Sequence, residues 1–223
     1  MITDGSDYQF LQYLIDKKLE PGDRVPALSD LSAELGVSVG KLREQLSVAR
    51  LLGYVSVRPR LGIRREAYEF YPAVKSSLAF GLATGEATFK QFSDLRQTLE
   101  ANMWPQAVTC LTQADKQQLR QIVMQAWEKL QGTPVHIPNG EHRDLHLTIF
   151  GRLENPFVQA LLKSYWDAYE ATELTRFADY GYWLKVWDYH ERIVDAICQG
   201  DFVCGQKLLV EHFQLLPTVT MPS

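Results

Sequence analysis

Four histidines carry the most specific chemistry in this 223-residue chain. His142 and His146 stand four apart in a segment with helical spacing, so both imidazoles leave one face about a turn apart. His190 falls in the middle of a second helical segment and His212 near the end of a third. Neutral imidazole is the commonest protein ligand for zinc, copper, iron or nickel, and three or four on facing helices would form a divalent-metal site. Taken singly, each is read as well as a hydrogen-bonded core or surface side chain. Spacing alone does not decide between the two. The fifth histidine, His136, lies in a proline-containing loop as an exposed bystander.

The elements that must hold these side chains are all helical. From Tyr71 and Pro72 onward every segment has helical spacing. Helices are expected over Tyr71 to Leu82 and over Phe89 to Leu111, the latter with Phe92, Leu95, Leu99 and Met103 inward. Pro105 should bend that second helix or be met by a local adjustment. Thr112 caps Ala114 to Leu130, whose inward face is Leu119, Ile122, Val123, Ala126 and Leu130. Further helices are expected over Glu141 to Arg152, from Pro156 to about Ala178, over Tyr182 to Cys198, and from the Asp201 cap to about Leu216. Several antiparallel helices of this length imply an all-α bundle with ligand sites between facing helices. Trp166, Tyr169, Tyr180, Tyr182, Trp183, Trp187 and Tyr189 crowd its centre as core, dimer or cavity-lining residues.

The N-terminal third has a different grammar. Ser6 or Asp7 caps a first helix with the apolar stripe Phe10, Leu11, Leu14 and Ile15. A helix carrying Leu31 and Leu35 stops at Gly36, and Ser38 is placed to cap the next, which buries Leu42, Leu46, Ala49 and Leu52. After Gly53, Tyr54 to Val57 alternates as a strand, Pro59 to Gly62 turns, and Ile63 to Arg65 returns. This is a helix-turn-helix followed by a two-stranded wing. Such a unit lets its second helix enter the major groove while a basic wing grips the backbone.

Charge agrees with that reading. Between Gly40 and Arg65 there are seven basic residues (Lys41, Arg43, Arg50, Arg58, Arg60, Arg64 and Arg65) and one acid, Glu44, on a chain of net charge −4. By subtraction the remainder carries about −10, so a basic patch sits on an acidic protein, as in a phosphate-binding module. No apolar run approaches the roughly 18 residues a membrane span needs. The N-terminus is polar, and three unpaired cysteines (Cys110, Cys198, Cys204) read as reduced thiols, so a cytoplasmic protein is expected.

The N-terminal residues resemble the winged helix of the GntR family of bacterial transcription regulators. The resemblance runs from Leu19-Glu20-Pro21-Gly22-Asp23-Arg24-Val25-Pro26 through Leu31 to Ser38, Leu42-Arg43-Glu44-Gln45-Leu46, Leu52-Gly53-Tyr54-Val55 and Gly62. Val39 and Ser29 stand where the family has DNA-contacting arginines, whereas Arg43 matches its recognition-helix arginine. The helical half is similar to the FCD domain, the effector-binding domain of the fatty-acid-regulator subgroup. It shares Leu95-Arg96-Gln97-Thr98-Leu99-Glu100, His146 with Asn155 nine later, His190-Glu191-Arg192-Ile193, Ala196-Ile197-Cys198-Gln199-Gly200-Asp201, and His212 eleven beyond that Asp. The resemblance implies a divalent metal held by one Asp and three histidines, and a helix arginine, here Arg96, that helps hold an organic acid. His142 occupies the Asp position, which would make the set four imidazoles and favour borderline transition metals such as zinc or nickel.

These readings converge on a mainly α protein. Residues 1–67 would form a winged helix-turn-helix domain and residues 68–223 an all-helical effector-binding and dimerisation domain. The expected function is a metabolite-responsive regulator, not an enzyme. It binds double-stranded operator DNA as a homodimer, through Ser38, Lys41, Arg43, Arg50, Arg58, Arg60 and Arg64. A small carboxylate effector is sensed at a metal held by His142, His146, His190 and His212, with Arg96 as its clamp, and no membrane is involved. Two other readings stay open: an all-α metalloenzyme, or a metal-free dimerisation module, fused to a DNA-binding domain.

Overall fold

A computed structural model describes residues 8–171 and 179–215. The chain divides into two compact units, 1–77 and 78–223.

In the first unit, helices α1 (Gln9–Asp16), α2 (Leu28–Leu35) and α3 (Val39–Leu51) pack with strands β1 (Arg24–Val25), β2 (Val55–Arg58) and β3 (Gly62–Arg65). α2 ends at Gly36 in the left-handed region, and the Ser38 hydroxyl accepts from the Lys41 amide to start α3. That places a tight turn between the two helices, with Val37 buried beneath it. Gly53 has φ +75°, and a Cβ there would lie 2.9 Å from the Pro72 ring, so the turn out of α3 requires glycine.

The wing is wider than expected. β3 lies between β1 and β2, antiparallel to both, with Arg24 opposite Arg64 and Val57 opposite Ile63. β1 is only two residues long, too short to show alternation. Its pairing comes from the Pro21-Gly22 turn, where the Gly22 amide donates to the Arg65 carbonyl at 2.7 Å and the Arg65 amide to Asp23 at 2.9 Å.

The core of this unit also departs from its apolar pattern. Phe10, Tyr13, Leu14, Leu31, Leu42 and Ala49 are buried, but Leu46 and Leu52 are half-buried and Ile15 is exposed. Gln45 takes an inward place on α3 because its carbonyl oxygen accepts from the Phe10 amide at 2.7 Å. A side chain thus serves a free amide at the start of α1 from 35 residues away. Ser6 and Asp7, the expected caps, lie outside the described residues.

The second unit is a helical bundle. It is reached through α4 (Tyr71–Thr84) and continues with α5 (Phe89–Thr109), α6 (Gln113–Gln131), α7 (Asn139–Phe150), α8 (Pro156–Ala171), α9 (Tyr180–Gln199) and α10 (Phe202–Phe213). Thr112 and Asp115 form a capping box on α6, and Asn155 and Asp201 cap α8 and α10. All five residues expected inward on α6 are buried. The proposed extension of α8 from 172 to Ala178 and the final residues to Leu216 lie outside the described residues. Pro105 is accommodated inside α5: the Ala101 carbonyl, which it leaves without an amide, accepts from Gln206 Nε2 at 2.8 Å.

One correction bears on the site. α5 buries Ser93, Arg96, Glu100, Trp104, Ala107 and Val108, and not the stripe Phe92, Leu95, Leu99, Met103. The inward face is turned by one residue, and Leu95 is exposed. The face that enters the bundle is therefore the one carrying an Arg and a Glu.

Candidate metal centre

α7 presents His142 and His146 from one face, α9 presents His190, and α10 presents His212. All four are buried, none more than 4% exposed. One nitrogen of each lies within 4.8 Å of one nitrogen of every other. Three are strung together through Nε2, with His146 to His190 at 3.3 Å and His190 to His212 at 3.1 Å. His142 completes the group at 4.8 Å between ring centres from His190. His136 is exposed in its loop and belongs to no such group.

The nitrogens are short of partners. Both nitrogens of His142 and the Nδ1 atoms of His190 and His212 are buried with no hydrogen-bond partner among the described residues. Unpaired buried nitrogens cost free energy unless something receives them, and four neutral imidazoles facing one point suit a borderline divalent metal. Burial holds all four well below the usual histidine range; neighbouring imidazoles add to it at His142, His190 and His212, and the Arg96 charge adds to it at every one. They are neutral in the folded protein, the form in which imidazole ligates.

Among the described residues, His146 is the one of the four with a carboxylate in contact. Glu100 Oε2 lies 3.1 Å from His146 Nδ1, and Glu100 Oε1 lies 2.8 Å from Arg96 Nε. An Nδ1–H donated to Glu100 leaves the His146 Nε2 lone pair free to ligate. Arg96 Nη2 stands 2.9 and 3.2 Å from the two nitrogens of the same ring. The in-plane lone pairs of those nitrogens diverge, so one N–H cannot serve both. Burial pushes the Glu100 carboxyl up, and the guanidinium beside it offsets part of that rise. The resemblance over Leu95 to Glu100 pointed to Arg96 and assigned no role to Glu100.

Aromatic rings wall the group. Trp166, Tyr169, Trp183 and Trp187 surround His142 with ring centres 4.7, 5.6, 6.2 and 6.4 Å away, and all four are edge-on to it. The Arg96 guanidinium sits about 5 Å from the Tyr165, Trp166 and Phe213 rings. Tyr180 is on the surface instead, donating from its hydroxyl to the Leu130 carbonyl.

The residues expected to meet DNA lie on α3 and the wing. Arg43, Arg50, Arg58 and Arg60 are exposed, and Lys41 and Arg64 half-buried. Ser38 is the α3 cap. Arg64 has a second employment, donating through Nη1 to the Gly22 carbonyl at 2.6 Å. Arg24, which the charge count over Gly40 to Arg65 did not reach, is exposed on the same sheet opposite Arg64.

Comparison with known proteins agrees with both units. The FCD domain model matches residues 91–215, more than half of the chain. The HTH-type transcriptional regulator LutR of Bacillus subtilis is 21% identical over 202 residues, covering 87% of this chain and 90% of that protein. Among solved structures, a Streptococcus agalactiae GntR superposes with a TM-score of 0.66 at 16% identity, over 93% of this chain and 94% of its own. Lar, described as controlling expression of the Listeria monocytogenes agr system, has a TM-score of 0.50 at 16% identity over 97% and 96%. At these identities the structures speak to fold alone. No helix among the described residues is long and apolar enough to cross a membrane. A winged helix followed by a matched FCD domain places the chain in the GntR family of transcriptional regulators, in its FCD-containing branch.

Proposed function

We propose that this regulator binds operator DNA as a homodimer and that a small carboxylate, held in a metal-containing pocket of the helical unit, alters that binding. The observation that carries the reading is the gathering of four buried imidazoles from three helices beside a buried arginine. His142, His146, His190 and His212 would hold zinc or nickel, which supplies a Lewis-acidic centre with positions open to a carboxylate. Arg96 offers the anion a fork-shaped donor held in place by Glu100. The aromatic walls exclude water, so each polar contact inside counts for more.

At the other end, α3 enters the major groove and the wing follows the backbone, with Ser38, Lys41, Arg43, Arg50, Arg58 and Arg60 meeting DNA. Arg64, tied to Gly22, braces the wing while adding charge. Two winged helices on two half-sites call for a near-palindromic operator. The homodimer is supported by apolar surface in the helical unit. α4 buries none of its residues, and Phe80 and Leu95 are 66% and 43% exposed. A second copy is the occupant that symmetry favours. The functional division is placed in the linker ahead of Pro72, with residues 1–67 reading DNA and 68–223 sensing and pairing.

The test is operator binding by fluorescence anisotropy, using DNA that flanks the gene and zinc-loaded protein across a panel of small carboxylates. At least one carboxylate should change affinity by the factor of roughly 5 to 150 typical of allosteric coupling. Identical affinity across the panel would count against the proposal. Arg43→Ala should weaken the preferred operator by about 1–3 kcal/mol and relax base preference, whereas Arg58→Ala should weaken all sequences alike and reduce the salt dependence. Equal loss on specific and random DNA for Arg43→Ala would remove it from base reading. Zinc at a hundred times its dissociation constant should stabilise the protein by about 3 kcal/mol, reversed by chelator. An unmoved melting temperature would take the metal out of the reading.

A further inference from the structure

The charge of the pocket narrows the anion beyond "a small carboxylate", on the assumption that the metal reading above holds. Histidines aside, the buried charged side chains among the described residues are Arg96 and Glu100, and they cancel each other at 2.8 Å. The four histidines would enter a metal site as neutral ligands. Position 142, where the resembling family places a carboxylate, is an imidazole 2% exposed and boxed by Trp166, Tyr169, Trp183 and Trp187. Among the described residues no second carboxylate is buried to replace the one His142 displaces. A divalent ion here would therefore carry its full double charge in a dry interior, which is costly until an anion balances it.

A second, independent observation concerns hydrogen bonding. The indole nitrogens of Trp166, Trp183 and Trp187 are all buried without a hydrogen-bond partner. Indole N–H can only donate. Three unmatched donors around an imidazole cluster call for a ligand rich in acceptor oxygens.

We propose that the pocket selects a compact dianion, a short dicarboxylate or a phosphoryl group, over a monocarboxylate of the same size. Two negative charges neutralise the metal, and the surplus oxygens receive the indole donors. Had position 142 been an Asp, one of those charges would be built into the protein and a monoanion would suffice. His142 is thus a specificity-determining residue as well as a ligand.

The experiment uses the full chain loaded with one equivalent of zinc, with excess removed and the zinc content measured. Malonate, inorganic phosphate and propionate are titrated by isothermal calorimetry. Malonate or phosphate should bind at least tenfold more tightly than propionate. The tighter of the two identifies the source of the dianion. His142→Asp, with zinc retained, should shrink that preference at least tenfold, and the neutral His142→Asn should keep it. Propionate binding as tightly as both dianions overturns the proposal, as does an unchanged preference in zinc-loaded His142→Asp. If His142→Asp does not fold, the wild-type ratio with His142→Asn decides alone. Failure of the underlying metal reading registers separately, as absence of zinc from the wild-type protein, and would remove this inference with it.

Discussion

Acidifying the metal-free protein from pH 7.5 to 5.5 should collapse the helical unit. The four imidazoles are buried, and their burial holds each one's proton affinity well below the ordinary histidine value near 6.5. In the unfolded chain they regain that value and take up protons as the pH drops past it. The unfolded state then binds more protons than the folded one, so stability is present above about pH 6.5 and is lost below it. Each histidine that stays neutral in the fold weakens the folding equilibrium by up to a factor of about ten per pH unit. Four together reach roughly 5 kcal/mol per unit, comparable with the whole stability of a domain. Urea melts of chelator-treated protein at pH 7.5, 6.5 and 5.5 measure this directly. His142→Phe, which fills the aromatic box without a titrating nitrogen, should reduce the slope by about a quarter. A midpoint unchanged across that range would mean that the histidines take up protons inside the fold.

How far the sequence foretold this site depends on which residues are considered. The histidines were legible because i,i+4 spacing on a helix fixes a common face, whatever the rest of the chain does. Their meeting with His190 and His212 was not contained in spacing; it depends on how α7, α9 and α10 pack. α6 was read correctly because its inner face is purely apolar. α5 was misread by one residue for the opposite reason. Its stripe of half-buried Leu99 and Met103 and exposed Leu95 is as apolar as a buried face, while its inward face carries Arg96 and Glu100. Hydrophobic periodicity identifies the face that avoids water and is blind to a polar face buried for its chemistry. A functional helix that also has exposed apolar surface defeats it on both counts.

The same limit explains Gln45 and β1. A glutamine on a helix scores as surface, and only the position of α1 across 35 residues of sequence reveals that its carbonyl oxygen serves the Phe10 amide. Arg24 and Val25 have no pattern of their own, and they become a strand because β3 offers an open edge beside them. In the wing, charge was legible and geometry was not: Arg64 counted towards the basic patch, but its bond to Gly22 depends on how the turn folds back.

Glu100→Ala should destabilise the helical unit by about 3–5 kcal/mol, more than a surface ion pair could account for. Glu100 is fully buried and its Oε1 lies 2.8 Å from Arg96 Nε, so the substitution strands a guanidinium in the core. Arg96 cannot shed its proton, and the Tyr165, Trp166 and Phe213 rings around it compensate only in part. Arg96→Ala should cost less, because the carboxyl left behind can take up a proton and donate to a neighbour. The double variant Arg96→Met with Glu100→Leu fills similar volume without charge and should recover most of the loss. Chemical denaturation of the wild type, Arg96→Met, Glu100→Leu and their double variant closes a cycle whose coupling energy is expected to be about 3 kcal/mol, and additive losses would show that the two residues act apart. If the apolar pair does fold as stably as the natural one, stability is not what the ion pair provides. Its role is then chemical: Glu100 orients His146, and Arg96 keeps a fixed positive charge where an anion must arrive. That double variant should fold well and lose carboxylate binding, which separates the two roles in one molecule.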